Sequence, residues 1–255
     1  MSAYEVLNAD TAPHLIFVCD HASNALPAEY GTLGLDANLF ARHISYDIGA
    51  AAVTRAFAAA FGAPAVLGAF SRLLVDLNRG PDDPTLVMKL SDGAIIPGNA
   101  RADPSEIRNR IARFYRPYHD AIEAQVARAR AANVTPVIVS IHSFTPEWRG
   151  RKRPWQVGVL WSRRDGRLAL PLLDELRREG DLTVGDNEPY SGELENDCMD
   201  QHALAHGFPH VLIEIRQDLI ADGEGAAAWA RRLVPLLRNA IRRLDSPAIG
   251  GAMDD

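Results

Sequence analysis

The sequence predicts an α/β fold in which a mainly parallel or mixed central sheet has helices on both faces. Short apolar runs, rich in Val, Ile and Leu and without clean alternation, are typical of strands that are buried on both sides. Helical patterns separate these runs, and strands that alternate with helices favour a largely parallel sheet. The 255 residues contain no internal repeat or linker, so we expect one domain over 1–255.

The predicted elements follow from the position of each run along the chain. The predicted strands are 14–20, 64–70, 73–77, 136–141, 156–161 and 210–215, and the predicted helices are 47–61, 103 to about 132, 167–179 and 225–244. The second helix has the clearest start, because Asp103 can cap it, Pro104 suits its first position and Glu106 can bond back to the cap. The small, polar residues 246–255 are expected to be a disordered tail.

Composition excludes several classes of protein. With 47% hydrophobic and 24% charged residues the chain is ordinarily globular, and its only cysteines, Cys19 and Cys198, favour a reducing compartment over a disulfide framework. A net charge of -6 argues against nucleic-acid binding, although arginines cluster at 149–153 and 163–167. No signal peptide and no apolar run of the ~20 residues that a membrane span needs are seen. We therefore expect a cytoplasmic protein that acts on small molecules.

Polar residues follow four of the predicted strands, at the edge of the sheet where α/β proteins bind ligands. They are Asp20, His21 and Asn24 after the first strand, Asn78 and Arg79 after 73–77, His142 and Ser143 after 136–141, and Glu214 and Arg216 at the last strand. Neutral imidazoles can hold Zn²⁺ while a carboxylate moves the proton of an attacking water, and a guanidinium can bind a carboxylate through two hydrogen bonds. The set therefore predicts a metal-assisted hydrolase with an anionic substrate.

Each of these residues also has a purely structural interpretation. His21 is equally explained as a core histidine, and Asn78 with Arg79 as the start of a turn. Glu214 is harder to explain in this way, because a carboxylate between two isoleucines in a buried strand is costly unless it is paired or functional. Its neighbour Arg216 can supply such a structural ion pair.

Five motifs in order resemble the N-formylglutamate amidohydrolase family, within the wider zinc carboxypeptidase and aspartoacylase superfamily. They are DHASNALP, HISYDIGA, SRLLVDLNRG, NEPYSG and IEIRQDLI, and together they extend the likeness from about residue 14 to 244. The resemblance implies the three-layer sandwich of the zinc carboxypeptidases and phosphorylase/hydrolase-like proteins.

The resemblance also implies roles for single residues. His21 and His142 correspond to the two metal histidines, and Glu214 to the general base. Asn78 and Arg79 match the pair that holds the carboxylate of the substrate.

Other residues lie where the family has further substrate contacts. Arg72 lies near the position of an arginine that polarises the scissile carbonyl. Tyr190, within the loop 186–192, would form part of the pocket wall, although this loop is also explained as a plain turn. His202 aligns with a family histidine without an assigned role, and Arg216 is included among the expected substrate contacts. The basic stretch 148–154 is interpreted as a solvated loop, with attraction of an acidic substrate as the alternative.

The third metal ligand is left open by the sequence. The superfamily uses His-x-x-Glu, and the fourth residue here is Asn24, whose amide oxygen is a weak ligand without negative charge. Asp47 is one candidate for the missing carboxylate, and it is also explained as the N-cap of its helix. Asp20 is the other candidate, or a partner behind His21.

The implied activity is hydrolysis of an N-formyl amino acid such as N-formyl-L-glutamate to formate and the free amino acid, in amino-acid metabolism such as histidine degradation. One Zn²⁺ per chain and a small anionic substrate are expected, with no nucleic-acid or membrane partner. The alternatives are a deacylase of another N-acyl amino acid, small peptide or N-acyl polyamine, or a metal-free binding protein. Oligomeric state is not predicted.

Overall fold

The computed structural model describes residues 2–11 and 13–244, so the predicted tail at 246–255 lies outside the described residues. A seven-stranded sheet forms the centre of the fold, with the strand order β1-β3-β2-β6-β11-β9-β10. Its strands are β1 (Tyr4–Leu7), β2 (Leu15–Cys19), β3 (Ala65–Gly68), β6 (Val137–Phe144), β9 (Val157–Leu160), β10 (Val184–Asp186) and β11 (His210–Arg216), and two small hairpins add β4 (Leu90–Ser91), β5 (Ala94–Ile95), β7 (Glu147–Trp148) and β8 (Arg151–Lys152).

The sheet is mixed, as predicted. Strands β3, β2, β6 and β11 are parallel neighbours, whereas β1 is antiparallel to β3 and β9 is antiparallel to β11. The polar residues at the carboxyl ends of β2, β6 and β11 therefore lie at one edge of the sheet. The short strands β1 and β10 were not among the predicted elements.

Helices cover both faces of the sheet, as predicted. They are α1 (Ala50–Phe61), α2 (Pro97–Ala100), α3 (Pro104–Arg110), α4 (Arg116–Ala131), α5 (Ala169–Arg178), α6 (Cys198–His202) and α7 (Gly223–Arg242). Side chains of α1, α5 and α7 form one core with Phe17 and Cys19 of β2, and side chains of α4 and α6 form another with Ile16 and Val18. The alternation of β2 between two apolar cores explains why its sequence is continuously apolar.

The predicted strand at 73–77 is wrong, because this segment is a buried loop. Its backbone groups bond to side chains and to another loop instead of a strand: Asn99 donates to the carbonyl of Leu73 at 2.7 Å, and Arg110 donates to that of Leu74 at 2.9 Å. The amide of Asp76 donates to the carbonyl of Leu86. The apolar pattern indicates that this segment is buried, but it does not show where the backbone hydrogen bonds go. In 73–77 they go to side chains and to another loop, so no strand forms.

The helix boundaries differ in detail from the predicted ones. Helix α1 begins at Ala50 after Gly49, which has a φ of 81°, and not at Asp47. Asp103 caps α3 as predicted, but Glu106 accepts a hydrogen bond from Arg110. A π-helical turn at 111–115 then separates α3 from α4. Among the described residues, no helix combines the length and apolar character that crossing a membrane requires.

Candidate active site

Two histidines meet at the carboxyl ends of the central strands. His21 lies two residues beyond the end of β2 and His142 lies in the neighbouring strand β6, and both are buried. Their ring centroids are 5.1 Å apart. Glu214 of β11 is paired in register with His142, so its side chain projects from the same face of the sheet.

The carboxylate of Asp47 lies between the two histidine rings. Its Oδ2 is 2.8 Å from Nδ1 of His142 and accepts a hydrogen bond from the amide of Ser143 at 3.2 Å, while its Oδ1 is 3.4 Å from Nδ1 of His21. The amide of Asp47 donates to the carbonyl of His21, which fixes the loop before α1. Because the N-cap of α1 is Gly49, the helix-cap explanation of Asp47 is wrong.

The other nitrogen of each ring, Nε2, is held by a second carboxylate. Nε2 of His21 is 2.7 Å from Oδ1 of Asp76, and Nε2 of His142 is 3.0 Å from Oδ2 of Asp20. Histidines that bind metals usually donate their other ring N–H to a carboxylate or carbonyl, which directs the free lone pair at the ion. The two Nδ1 atoms face Asp47, so with Nε2 as the donor in both rings they are the atoms that would offer lone pairs to a metal ion.

Nδ1 of each histidine and the carboxylate of Asp47 fit a divalent metal ion. Ligand atoms of His21, Asp47 and His142 all lie within 4.8 Å of one another. Nδ1 of His21 is buried without a hydrogen-bond partner among the described residues, and an unpaired buried nitrogen is costly unless a ligand satisfies it. Two imidazoles and one carboxylate, with a fourth position open, form the donor set of catalytic zinc sites.

The two supporting carboxylates are buried but remain ionised. Burial would raise the pKa of Asp20, yet the hydrogen bond and charge of His142 hold that pKa at about 2, and the Tyr118 hydroxyl donates to its Oδ1 at 2.7 Å. Burial likewise opposes ionisation of Asp76, but Arg72 and His21 hold its pKa well below the usual range.

The cluster favours positive charge between the rings. Burial would lower the pKa of His142, but Asp20 and Asp47 raise it well above its usual value. The charges and hydrogen bonds of His21 and His142 hold the pKa of Asp47 far below its usual range in spite of burial. A cation between the rings would therefore meet carboxylates that are already ionised.

Glu214 is the unpaired acid of the site. It is 5% exposed, and its Oε2 has no hydrogen-bond partner among the described residues. Burial and the negative charge of Asp47 raise its pKa to about 7, against the opposing charges of His142, His21 and Arg72. A carboxyl with a pKa near neutrality can both accept and return a proton.

The Arg72 guanidinium borders this cluster. Its Nη2 and Nε donate to Oδ2 of Asp76 at 2.7 and 3.1 Å, and its Nη1 lies 3.7 Å from Oδ1 of Asp47. The structure therefore brings together six of the residues singled out from the sequence: Asp20, His21, Asp47, Arg72, His142 and Glu214. Asp20 lies behind His142 and not, as expected, behind His21.

The comparisons with known proteins identify the family of the chain. The family described as N-formylglutamate amidohydrolase matches residues 14–221. The chain belongs to that family. It is 38% identical to the gene product Atu2144 of Agrobacterium tumefaciens, whose crystal structure superposes with a TM-score of 0.92 over 96% of this chain and 97% of that one. It is 25% identical to the N-formylglutamate amidohydrolase of Ralstonia eutropha JMP134, with a TM-score of 0.70 over 95% and 98% of the two chains. No curated protein matches significantly.

Family membership confirms the resemblance seen in the sequence. The chain is a hydrolase of the amidohydrolase type, and its family acts on a small molecule. The fold class and the candidate metal-binding groups agree with that chemistry.

Two asparagines of the predicted site bind parts of the amidohydrolase chain itself. Asn24 is exposed, and its Nδ2 donates to the carbonyl of Phe40 at 2.8 Å. Asn78 is buried, and its Oδ1 accepts from the amide of Cys198 at the start of α6. The structure places the carboxylate of Asp47, and not the amide of Asn24, between the histidine rings. Substrate binding by Asn78 stays a prediction.

The predicted arginines also have partners within the chain. Arg79 donates to the carbonyl of Asn78 and to the Thr85 hydroxyl. Arg216 donates to Asp218, so the ion pair proposed between Arg216 and Glu214 is not present. Their roles towards a substrate stay predictions.

His202 lies in a second buried group, separate from the histidine pair of the active site. Its Nε2 is 2.7 Å from Nδ1 of His119, its Nδ1 is 2.7 Å from Glu123, and Nε2 of His119 bonds to the carbonyl of Leu77. With Cys198, these rings also have metal-ligand spacing. All four ring nitrogens already have partners, however, in contrast to Nδ1 of His21.

Sequence reasoning missed Asp76 and Tyr118. Asp76 is fully buried within the run LLVDL, and a carboxylate inside an apolar run is costly unless paired. The argument applied to Glu214 would have found it. Tyr118 lies inside an ordinary amphipathic helix, and nothing in its sequence context marks it.

Proposed function

We propose that the protein is a metal-dependent amidohydrolase that cleaves the formyl amide of an N-formyl amino acid such as N-formyl-L-glutamate, giving formate and the free amino acid. The observation that carries the proposal is the buried, unpartnered Nδ1 of His21, which faces the carboxylate of Asp47 beside His142. Family membership supports the reaction class.

One Zn²⁺ per chain would be held by His21, Asp47 and His142. A bound zinc ion supplies Lewis acidity, which polarises a carbonyl group and lowers the pKa of water to roughly 7. Asp76 holds Nε2 of His21 and Asp20 holds Nε2 of His142. Both Nδ1 lone pairs would therefore be directed at a bound ion.

Glu214 is proposed as the general base and then the general acid. Its carboxylate takes a proton from the water that attacks the formyl carbon, and returns this proton to the departing amine. The raised pKa suits both steps at neutral pH. Arg72, held by Asp76 next to Asp47, is placed to stabilise the negative charge that develops on the formyl oxygen, an effect that is typically worth several kcal/mol. Asn78 and Arg79 remain proposed contacts of a substrate carboxylate.

A reducing, cytoplasmic location is proposed on the evidence of the cysteines. Cys19 and Cys198 are both free and buried. Free buried thiols are typical of proteins in reducing compartments.

The experiment combines metal analysis with turnover. Purified protein is expected to hold about one zinc ion per chain and to release formate from N-formyl-L-glutamate. Glu214→Gln should keep the metal and lose at least about 100-fold in kcat. Glu224→Gln, the same change at an exposed position of α7, is the matched control. Protein that stays metal-free after incubation with zinc would contradict the proposal and favour the binding-protein alternative.

The acyl group is tested separately. Formate release is compared with release of acetate or succinate from the corresponding N-acyl amino acids, and with cleavage of small peptides. Faster turnover of a longer acyl group would favour the alternative of a deacylase that uses the same site.

A further inference from the structure

Arg153 lies in a pocket of three aromatic rings. Its guanidinium carbon is 5.0 Å from the ring centroid of Tyr190, 5.6 Å from that of Trp148 and 5.8 Å from that of Phe144. Its Nη1 donates to the Tyr190 hydroxyl and to the Thr145 hydroxyl, both at 3.1 Å. These contacts hold the side chain in a defined orientation, although it belongs to the basic stretch that the sequence suggested is a solvated loop.

The remaining edge of this guanidinium has no acceptor. Every hydrogen bond that the Arg153 side chain donates within the described part of the chain comes from Nη1, and no described carboxylate lies within 4.0 Å of it. Arg72 and Arg216, by contrast, each pair with a carboxylate of the chain. The Nε and Nη2 groups of Arg153 form the fork that binds a carboxylate through two parallel hydrogen bonds.

Arg153 also lies next to the proposed active site. It packs on Phe144, which is two residues beyond His142 in β6 and therefore on the same face, roughly 7 Å further along the strand. The Trp148 ring on which Arg153 packs also contacts His43, with 5.9 Å between the two ring centroids.

The loop that carries Tyr190 is close to Glu214. The carbonyl of Glu188 covers Gly158, where an added Cβ would lie only 2.1 Å from this oxygen and 3.5 Å from Cβ of Glu214. The loop that carries Tyr190 thus lies against the strands β9 and β11 beside Glu214.

We propose that Arg153 binds the side-chain carboxylate of an acidic N-formyl amino acid, an inference that rests on the proposed function. Five bonds separate the formyl carbon of N-formylglutamate from its distal carboxyl carbon, which is roughly 6 Å when extended. This length is close to the roughly 7 Å step along β6 from His142 to Phe144, whose ring packs on Arg153. The three rings flank the guanidinium through cation–π contacts, and a substrate carboxylate would add a charge-assisted pair at its open edge. A neutral side chain would leave Arg153 without a partner, so the subsite selects for acidic substrates.

The test compares an acidic and a neutral substrate in the same variants. Arg153→Gln should lower kcat/KM for N-formyl-L-glutamate roughly 10- to 100-fold, mainly through KM, because the hydrogen bonds to a charged group are lost. The same variant should act on N-formyl-L-glutamine within about 3-fold of the wild type, which also shows that it is folded. Arg153→Lys should be intermediate, because it keeps the charge without the fork.

Arg151→Gln is the matched control, since it removes the same charge from an exposed position of the same hairpin, and it should change neither substrate appreciably. Equal losses with both substrates, or no loss with either, would overturn the assignment of Arg153.

A binding measurement keeps this inference separate from the proposed function. Calorimetry of N-formyl-L-glutamate binding to Glu214→Gln, with and without Arg153→Gln, needs no turnover. A roughly 10- to 100-fold weaker affinity in the double variant supports the subsite even if the wild type hydrolyses neither substrate. Unchanged affinity overturns the subsite even if hydrolysis is confirmed.

Discussion

The Glu214→Gln substitution is expected to make the stability of the metal-free protein less dependent on pH between 5 and 8. Glu214 is 5% exposed with an unpartnered carboxylate oxygen, and burial raises its pKa from 4.5 to about 7. Between these two values the folded protein holds a proton that the unfolded chain has released. The stability contributed by this group is therefore fully present below pH 4.5 and is lost as pH rises through 7.

The magnitude follows from the pKa difference. At 1.36 kcal/mol for each pKa unit, the rise from 4.5 to about 7 corresponds to about 3 kcal/mol. Glutamine does not titrate and so does not lose this amount. Its amide carries its own desolvation cost, but that cost is the same at every pH and cancels when the two pH values are compared.

The assay is urea unfolding of EDTA-treated wild type and variant at pH 5 and pH 8. The free energy of unfolding of Glu214→Gln relative to wild type should rise by about 3 kcal/mol from the lower to the higher pH. Glu224→Gln, at an exposed position, should show no such change. If the difference between Glu214→Gln and wild type is the same at both pH values, the inferred burial of an ionisable carboxyl is refuted.

Three further outcomes are expected. The value of kcat/KM should rise with pH as Glu214 ionises, with a midpoint at or below about 7, because a bound cation favours the carboxylate; a profile that falls through this range would contradict the general-base role. Asp76→Asn should weaken zinc affinity about 10- to 100-fold, measured by chelator competition, because the acceptor of His21 Nε2 loses its negative charge; unchanged affinity would contradict that role. Gly158→Ala should destabilise the fold by about 1–3 kcal/mol in thermal unfolding, because its Cβ would meet the carbonyl of Glu188 at 2.1 Å, and a wild-type melting temperature would show that this loop moves aside.

The fold class could be predicted from the sequence because a strand that is buried on both faces has a continuously apolar sequence. Strand β2 is apolar at every position, since Phe17 faces one core and Val18 the other. The run LLVDL is similarly apolar, yet its backbone hydrogen bonds go to Asn99, Arg110 and a neighbouring loop. Apolar pattern thus predicted the burial of 73–77 correctly and its secondary structure incorrectly.

The site could be predicted only in part. His21, His142 and Glu214 stand at or near strand ends, so sequence order and the parallel connection bring them to one edge. Asp47 lies outside any strand, and its two interpretations, ligand or helix cap, are distinguished only by the position of its carboxylate between the histidine rings. Asp76 is bonded to a histidine 55 residues away, a distance in sequence that no local pattern spans.

The sequence by itself determined the α/β class, the family and the chemical types at the strand ends, because these depend on periodicity and on motifs of a few residues. The tertiary structure decided which side chains are already paired and which are free. Arg79 and Arg153 are equally basic in the sequence, but in the fold Arg79 donates to its own chain from Nε and Nη1, whereas the Arg153 side chain donates only from Nη1 and keeps its Nε–Nη2 edge open. The physical reason is that a charged group becomes available to a ligand only when its neighbours in space, and not in sequence, leave its hydrogen bonds unmade.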